Sequence, residues 1–367
     1  MITKKVNFIR VIKNTNFTKN EPVSVVHFIT NRCNARCSFC FIDFDDPNTF
    51  KNELTIEEIE KLTKNLGKSL LNVNLTGGEP FARKDIIDIA KLYIKNSTVQ
   101  SIYVTTNASL PERVELFAKE ITKLDKNIEL TFQISIDDFP EKHNKVRKIE
   151  NLFENCIETY FRLKKLSSNI NPVVNITVNH ENCDDIENIF NYLVKTCKIN
   201  SLKCTIVRDE GVYKTPQEKR GRIFQAHSWL TKKILEFTKN NTIRNYNQNS
   251  IQGKLHNKKD EISWELTKKM YLKPNYVSPC HAGGLFGIIT ASGLVYPCEI
   301  LEDKLLGNLR ENNMNLMKIW NSQKTKEAKN FIKRTNCNCT YECALTYNIL
   351  GNWRYQPRLI SSFFSSY

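Results

Sequence analysis

Short runs rich in β-branched residues alternate along the chain with longer segments in which apolar residues recur every three or four positions. The short runs are typical of buried strands, and the spacing of three and four is typical of helices with one apolar face. The predicted strands are 24–30, 70–76, 100–106, 129–136, 172–178 and 201–207. The predicted helices are 56–66, 84–96, 111–124, 141–166, 184–197 and about 216–239. Thr55, with Glu58 three residues later, predicts a capping box at the start of the first helix.

Repeated strand–helix units of this kind predict an α/β fold. Parallel strands need long crossover connections, and a helix in each connection covers the outside of the sheet. The pattern leaves open whether the sheet is flat or curls into a partial barrel.

The pattern changes after residue 240. Residues 240–260 are rich in Asn and Lys and lack apolar periodicity, so they predict a linker or mobile loop. The stretch "LFGIITASGLVYPC" predicts a hairpin with Gly293 at its turn. Helix is predicted for 313–334, and the cysteine-rich stretch "CNCTYECA" follows.

The composition of the 367-residue chain, with 40% hydrophobic and 25% charged residues, is that of an ordinary globular protein. We find no signal peptide and no run of roughly 18 apolar residues that could span a membrane, so we expect a cytoplasmic protein. In a reducing compartment, clustered thiols indicate metal ligands. Scattered ones, here Cys156, Cys183, Cys197 and Cys204, indicate buried structural positions.

Positive charge is concentrated in one segment. The chain carries a net charge of +15, and Lys198 to Lys273 holds 17 Lys and Arg against 7 Asp and Glu, which is +10 by subtraction. Such a run is either a solvated surface or a site for an anionic partner.

Three cysteines, Cys33, Cys37 and Cys40, directly follow the first predicted strand. Parallel α/β proteins place their sites at the carboxyl ends of strands, so this loop is a candidate site. Structural zinc sites normally have four protein ligands. A [4Fe–4S] cluster also binds thiolates, and three of them would leave one iron open.

The spacing Cys33-x3-Cys37-x2-Cys40, with Phe39 before the last thiol, resembles the signature of the radical S-adenosylmethionine (SAM) superfamily. The resemblance implies a partial (β/α)6 TIM-like barrel with a [4Fe–4S] cluster whose open iron binds SAM. It also implies reductive cleavage of SAM to a 5′-deoxyadenosyl radical. Phe39 would then pack near the adenine.

Further motifs resemble the family in the same order. "TGGEP" (76–80), "TTNA" (105–108) and "SIDD" (135–138) end the second to fourth strands, and "VNITVN" and "CTIVR" end the next two. The cofactor-binding residues implied are Phe39, Thr76, Gly77, Gly78, Glu79, Asn107, Ser135, Asp137, Asn179 and Arg208. Ser135 and Asp137 are expected at the ribose and carboxylate of SAM.

A later segment also matches the family in part. His143, Arg147 and Phe153 agree with its usual pattern, whereas Asn144 and Lys148 replace the usual Asp and Gly. A lone histidine before a helix is more often a structural residue, and we assign no catalytic residue here.

A second cysteine group, Cys280-x12-Gly293-x4-Cys298, resembles the start of a SPASM or twitch extension. The resemblance implies a small α+β domain with a second, auxiliary [4Fe–4S] cluster. We expect Cys280, Cys298 and Cys343 as ligands, with Cys337 or Cys339 as the fourth. A four-cysteine zinc site is the alternative.

These expectations give a radical SAM core at 20–240, a basic linker at 241–275, an auxiliary-cluster domain at 276–350 and a C-terminal tail at 351–367. The resemblance implies an oxidoreductase that oxidises or crosslinks a peptide, or an anionic small molecule of the sugar or nucleotide-sugar type. The partner is a reduced flavodoxin or ferredoxin, and we expect neither a membrane nor nucleic acid. About 23 residues precede the first strand, too few for a separate peptide-recognition domain. The alternative class is a non-catalytic iron–sulfur or zinc protein that transfers electrons or regulates.

Overall fold

A computed structural model describes residues 6–208, 212–246, 250–272 and 276–363. Its described strands form one sheet in the order β6-β5-β4-β3-β2-β1-β7-β8-β9. Strands β1 to β6 and the β1–β7 pair are parallel, and β7, β8 and β9 pair antiparallel. The strands are β1 Ser24–Thr30, β2 Asn72–Gly77, β3 Ser101–Thr106, β4 Glu129–Ser135, β5 Ile170–Val178, β6 Leu202–Ile206, β7 Phe286–Ile289, β8 Leu294–Tyr296 and β9 Gly307–Asn308.

Helices connect the parallel strands and cover the outer face of the sheet. The described α-helices are α1 Phe8–Lys13, α2 Ile56–Thr63, α3 Ile86–Asn96, α4 Pro111–Leu124, α5 Pro140–Arg147, α6 Leu152–Lys164, α7 Ile186–Asn191, α8 Arg220–Lys239, α9 Ile251–Leu272, α10 Leu316–Trp320, α11 Gln323–Arg334, α12 Glu342–Leu350 and α13 Gln356–Ser361. Among the described residues, no helix is both long and apolar enough to cross a membrane.

Alternation along the strands separates an apolar outer face from a polar inner face. Val73 and Leu75 of β2 are fully buried in the core shared with the outer helices. Asn72 and Asn74 alternate with them in sequence and therefore point inward. The same alternation recurs in β3 and β4. The predicted α/β fold, a partial barrel with a C-terminal domain, is confirmed.

Local signals in the sequence set several helix ends. The capping box of Thr55 and Glu58 is present, as predicted. The predicted helix 141–166 is divided into α5 and α6, because Lys148 and Asn151 have φ angles of +56° and +55° that a helix cannot contain.

The prediction of a loop at 240–260 was wrong from residue 251 onward, where α9 begins. Polar as well as apolar residues of α9 are buried: as whole residues Lys259 and Asp260 are each 9% exposed, and Ile262 is fully buried. A helix that is covered on several sides has no single apolar face, so its sequence lacks the periodicity that predicts a helix.

The C-terminal part continues the barrel sheet. β7 pairs with β1, and the predicted hairpin turns at Gly293, whose φ is +86°. Helix α12 lies against the inner face, where the amide of Asn74 donates to the sulfur of Cys343 over 3.8 Å. The predicted tail contains α13, and Leu359 packs with Ile262 of α9. Helix α9 packs against α12, and its Asp260 lies 3.4 Å from Lys203 of β6.

Candidate active site

The three-cysteine loop lies at the carboxyl end of β1. Its thiols are half-buried and free of disulfides. The Cys40 N–H donates to the Cys37 carbonyl over 3.2 Å, and the Ala35 N–H donates to the Cys33 sulfur over 3.3 Å. Burial raises the pKa of Cys33 to about 12 and raises the pKa of Cys37 and Cys40. Bare thiolates are therefore costly here, and bound cations would stabilise them.

The predicted TGGEP loop is bonded directly to the start of the cysteine loop. The Gly78 N–H donates to the Thr30 carbonyl and the Glu79 N–H to the Arg32 carbonyl, both over 2.9 Å. A Cβ on Gly78 would lie 2.4 Å from the Arg32 oxygen, and one on Gly77 would lie 1.9 Å from the Thr30 oxygen. The glycines are required because the two loops pack backbone against backbone.

Glu79 ties this loop to the end of β3. Its carboxylate accepts from the Thr106 hydroxyl over 2.7 Å, the Asn107 N–H over 2.7 Å and the Phe81 N–H over 3.1 Å. Glu79 is 1% exposed, and burial raises its pKa to about 7 although these three donors lower it. The Glu79 side chain, which was predicted to bind SAM, thus accepts its hydrogen bonds from the protein itself.

Asn107 reaches the cysteine loop from the end of β3. Its amide donates to the Asn34 side chain over 2.9 Å and lies 3.9 Å from the Cys33 sulfur. Its side-chain oxygen accepts from the Ser109 N–H over 3.0 Å. In this arrangement Asn107 positions Cys33.

Asp137 and Asn179 also make internal contacts. Asp137 accepts from Arg147 and, over 2.8 Å, from the Thr177 N–H. Asn179 accepts from the Glu181 N–H over 2.8 Å in a local turn. Ser135 and Asp137 were expected at the ribose and carboxylate of SAM. Ser135 points inward from β4 and is half-exposed, whereas Asp137 is buried.

Arg208 connects the two cysteine regions. It forms an ion pair with Glu299, the residue after Cys298, and Glu299 also accepts from the Tyr341 hydroxyl over 2.7 Å. The Arg208 guanidinium lies 4.6 Å from the ring centre of Tyr341 and 5.8 Å from that of Phe41, which follows Cys40. Glu299 and Tyr341 were missed in the sequence, although each lies next to or near a predicted ligand.

The second cysteine group is divided into four thiols and one. Burial raises the pKa of Cys280 and of Cys339; Cys298 and Cys337 raise that of Cys280 further, and Cys280, Cys298 and Cys337 raise that of Cys339 further. Cys343 instead lies by Asn74, and its pKa is raised by burial and lowered by Arg208. The structure therefore favours Cys337 and Cys339 together over Cys343. Among the described residues, no three Cys, His, Asp or Glu side chains meet as ligands of one metal ion would.

The inner face below both groups is polar. Tyr103 donates to Gln133 over 2.7 Å, and Lys203 lies 3.4 Å from Asp260 of α9. Half-exposed polar side chains recur along β2 to β6. This surface can bind a polar substrate through hydrogen bonds.

An α/β barrel whose strand ends carry a three-thiol loop, with a second thiol group opposite, defines a class of iron–sulfur barrel proteins. Residues 28–193 match the family model of the radical SAM superfamily, and residues 277–344 match that of the SPASM iron–sulfur cluster-binding domain. The chain is therefore a radical SAM protein with a C-terminal SPASM domain.

Individual relatives agree with this architecture. The chain is 26% identical over 302 residues to the sporulation killing factor maturation protein SkfB of Bacillus subtilis (strain 168), covering 80% of this chain and 64% of that protein. It is 32% identical over 188 residues to GTP 3′,8-cyclase of Aquifex aeolicus (strain VF5), covering 49% and 56%. The chain thus spans less than two thirds of either relative. A structure of native anSMEcpe with bound AdoMet and a Kp18Cys peptide has a TM-score of 0.58 at 17% identity, covering 94% of this chain and 96% of that one.

The radical SAM domain implies a [4Fe–4S] cluster and SAM, and the SPASM domain implies further iron–sulfur clusters. The donor sets fit these groups. Three half-buried thiols of raised pKa share one loop, and four more lie together in the SPASM domain.

Proposed function

We propose that the protein is a radical SAM enzyme that removes hydrogen from a peptide and completes a net oxidation or a crosslink in it. The arrangement that carries the proposal is the pair of thiol groups with Arg208 between them, at 5.8 Å from Phe41 and 4.6 Å from Tyr341. One group is suited to forming a radical and the other to accepting the second electron of an oxidation.

The lengths of the sequence matches support a peptide substrate over a small metabolite. The match to the killing-factor maturation protein covers 302 residues, more than the 166 residues of 28–193, so it extends beyond the radical SAM domain. The match to the GTP cyclase covers 188 residues, about the length of that domain alone. The longer match to the maturation protein therefore supports the proposal of a peptide substrate.

The chain's own residues would prepare the site. When bound, the cluster and SAM supply a 5′-deoxyadenosyl radical by one-electron reduction of the sulfonium. Cys33, Cys37 and Cys40 would hold the cluster, with Asn107 and the two glycines fixing their loop. Phe39, Thr76 and Ser135 would face SAM.

Exclusion of water would fall to the elements that cover the inner face. Helix α12 lies against the inner face with α9 packed on it, and Phe28 packs with Phe286 and Cys298 beside the second thiol group. Such enclosure protects a reactive radical from side reactions. The polar inner face would hold the peptide by hydrogen bonds from Tyr103, Gln133 and Asn74.

Electrons would enter from a reduced flavodoxin or ferredoxin and leave the substrate through the SPASM domain. Cys280, Cys298, Cys337 and Cys339 would hold the auxiliary cluster. Arg208, Glu299 and Tyr341 would line the space between it and the substrate.

The test is anaerobic reconstitution with iron and sulfide, followed by dithionite and SAM. We expect 5′-deoxyadenosine from the wild type and none from Cys37→Ala, with Cys197→Ala as the control at a cysteine outside both groups. On co-expression with short peptides encoded beside its gene, one peptide should lose two hydrogen atoms. Undiminished 5′-deoxyadenosine from Cys37→Ala would refute the cluster assignment. Turnover of a sugar nucleotide but of no peptide would refute the substrate class.

A further inference from the structure

A buried ion pair lies beneath the three-cysteine loop. Arg147, on the last turn of α5, donates from Nε and Nη2 to Asp137 Oδ2 over 3.0 and 2.5 Å. The side chains are 8% and 5% exposed. The other Asp137 oxygen accepts from the Thr177 N–H over 2.8 Å. The end of β4 and strand β5 therefore fix the position of the guanidinium.

Arg147 also contacts the cysteine loop directly. Its carbonyl accepts from the Arg36 N–H over 3.1 Å, and its guanidinium carbon lies 5.8 Å from the ring centre of Phe39. These contacts hold Arg36, which precedes Cys37, and Phe39, which precedes Cys40.

The guanidinium therefore lies beside the residue that precedes Cys40, and the Arg147 backbone is bonded to the residue that precedes Cys37. A charge fixed this close to the loop acts on any group that is bound there.

We infer that Arg147, held by Asp137, is a positioning residue whose charge sets how readily a cluster bound to Cys33, Cys37 and Cys40 accepts an electron. The inference rests on the proposed function, in which a low-potential donor adds one electron at this loop. An added electron makes the site more negative, so a fixed cation favours the reduced form. Asp137, expected from the sequence to bind SAM, serves instead as the anchor and partial counter-charge.

The test is a redox titration of the reconstituted full-length protein followed by electron paramagnetic resonance. The signal that changes when SAM is added identifies the cluster at the three-cysteine loop. In Arg147→Gln we expect the ratio of reduced to oxidised cluster at a fixed applied potential to fall about tenfold, equivalent to a shift of about −59 mV for one electron. Arg147→Lys should stay close to the wild type, because it keeps the charge.

Asp137→Asn gives a prediction of opposite sign. Removing the carboxylate leaves the guanidinium charge uncompensated, so the ratio of reduced to oxidised cluster should rise. A role confined to loop structure would shift both variants in the same direction or reduce only their iron content. If Asp137→Asn fails to fold by circular dichroism, the comparison of Arg147→Gln with Arg147→Lys decides the question.

Two results would overturn the inference. One is an unchanged potential in a folded Arg147→Gln variant with wild-type iron content, and the other is an equal shift in Arg147→Gln and Arg147→Lys. A wild type without any SAM-sensitive signal would refute the proposed function itself, which is a different result from an unmoved potential.

Discussion

Glu79 is a side chain of the candidate site that is held in place by hydrogen bonds from the protein itself. Its carboxylate holds the ends of β2 and β3 together through three donors, and it is 1% exposed. Burial nevertheless dominates its titration and raises the pKa to about 7. The folded state therefore binds a proton that the unfolded chain has released by neutral pH.

This linkage has a defined sign. Because the pKa of Glu79 is higher in the folded state, its contribution to stability is complete below about pH 4.5 and is lost as the pH rises to about 7, by at most roughly 3 kcal/mol. Glu79→Gln does not titrate. Its free energy of unfolding should therefore rise relative to that of the wild type as the pH increases from 5 to 8. Urea denaturation of the cluster-free proteins at several pH values measures the difference. A constant difference across that range would contradict the assignment.

At this scale the sequence shows the cysteine motif more readily than the residues that contact it. The spacing of Cys33, Cys37 and Cys40 depends on neighbours in one loop, so it is visible in the sequence. The contact between Arg208 and Glu299 joins residues 91 positions apart, and no local pattern predicts it. The same limit explains why the contact between Asp137 and Arg147 was not predicted.

At the scale of elements, α9 differs most from its prediction. It lies between α8, α12 and α13, and its Asp260 pairs with Lys203 of β6 over 3.4 Å and with the adjacent Lys259. Strands β1 to β6 were predictable because each is a short run rich in β-branched or other apolar residues. Burial also alternates with a period of two along β2, β3, β4 and β6. Helix α9 was not, because burial on several sides removes the period of 3.6.

The ion pair on α9 should contribute measurably to stability. The Lys203 and Asp260 side chains are 18% and 12% exposed, so Asp260→Asn would leave Lys203 buried without its counter-charge. We expect the free energy of unfolding to fall by about 3 kcal/mol. The matched control is Glu236→Gln, which breaks the exposed Lys233–Glu236 pair on α8 and should cost about 0.3 kcal/mol. Equal losses in the two variants by urea denaturation would contradict a structural role for the α9 pair.

At the scale of the whole molecule, the two parts of the chain that carry the thiol groups contribute strands to one continuous sheet. β7, within the residues that match the SPASM domain, pairs directly with β1 of the radical SAM domain. Motif order in the sequence predicts both regions. The shared sheet was not predictable, since it depends on pairing between segments far apart in the chain.

The iron content tests which thiols bind the two clusters. The wild type should hold about eight irons, and replacing Cys33, Cys37 and Cys40 together should leave about four. Because Cys339 lies with Cys280, Cys298 and Cys337 whereas Cys343 lies by Asn74, Cys339→Ser in that background should lose the remaining iron and Cys343→Ser should keep it. Loss of iron in both variants would restore Cys343 to the ligand set.

The pairing of β1 with β7 also bears on how the chain reaches its native state. Ser24 is opposite Phe286, a separation of 262 residues by subtraction. During synthesis β1 therefore stays an open edge on that side until residue 286 has left the ribosome. Contacts so distant in sequence slow folding, and unpaired edges invite aggregation in the meantime. The first strand of the chain is among the last to be completed, so we expect nascent chains that end before β7 to depend on chaperones.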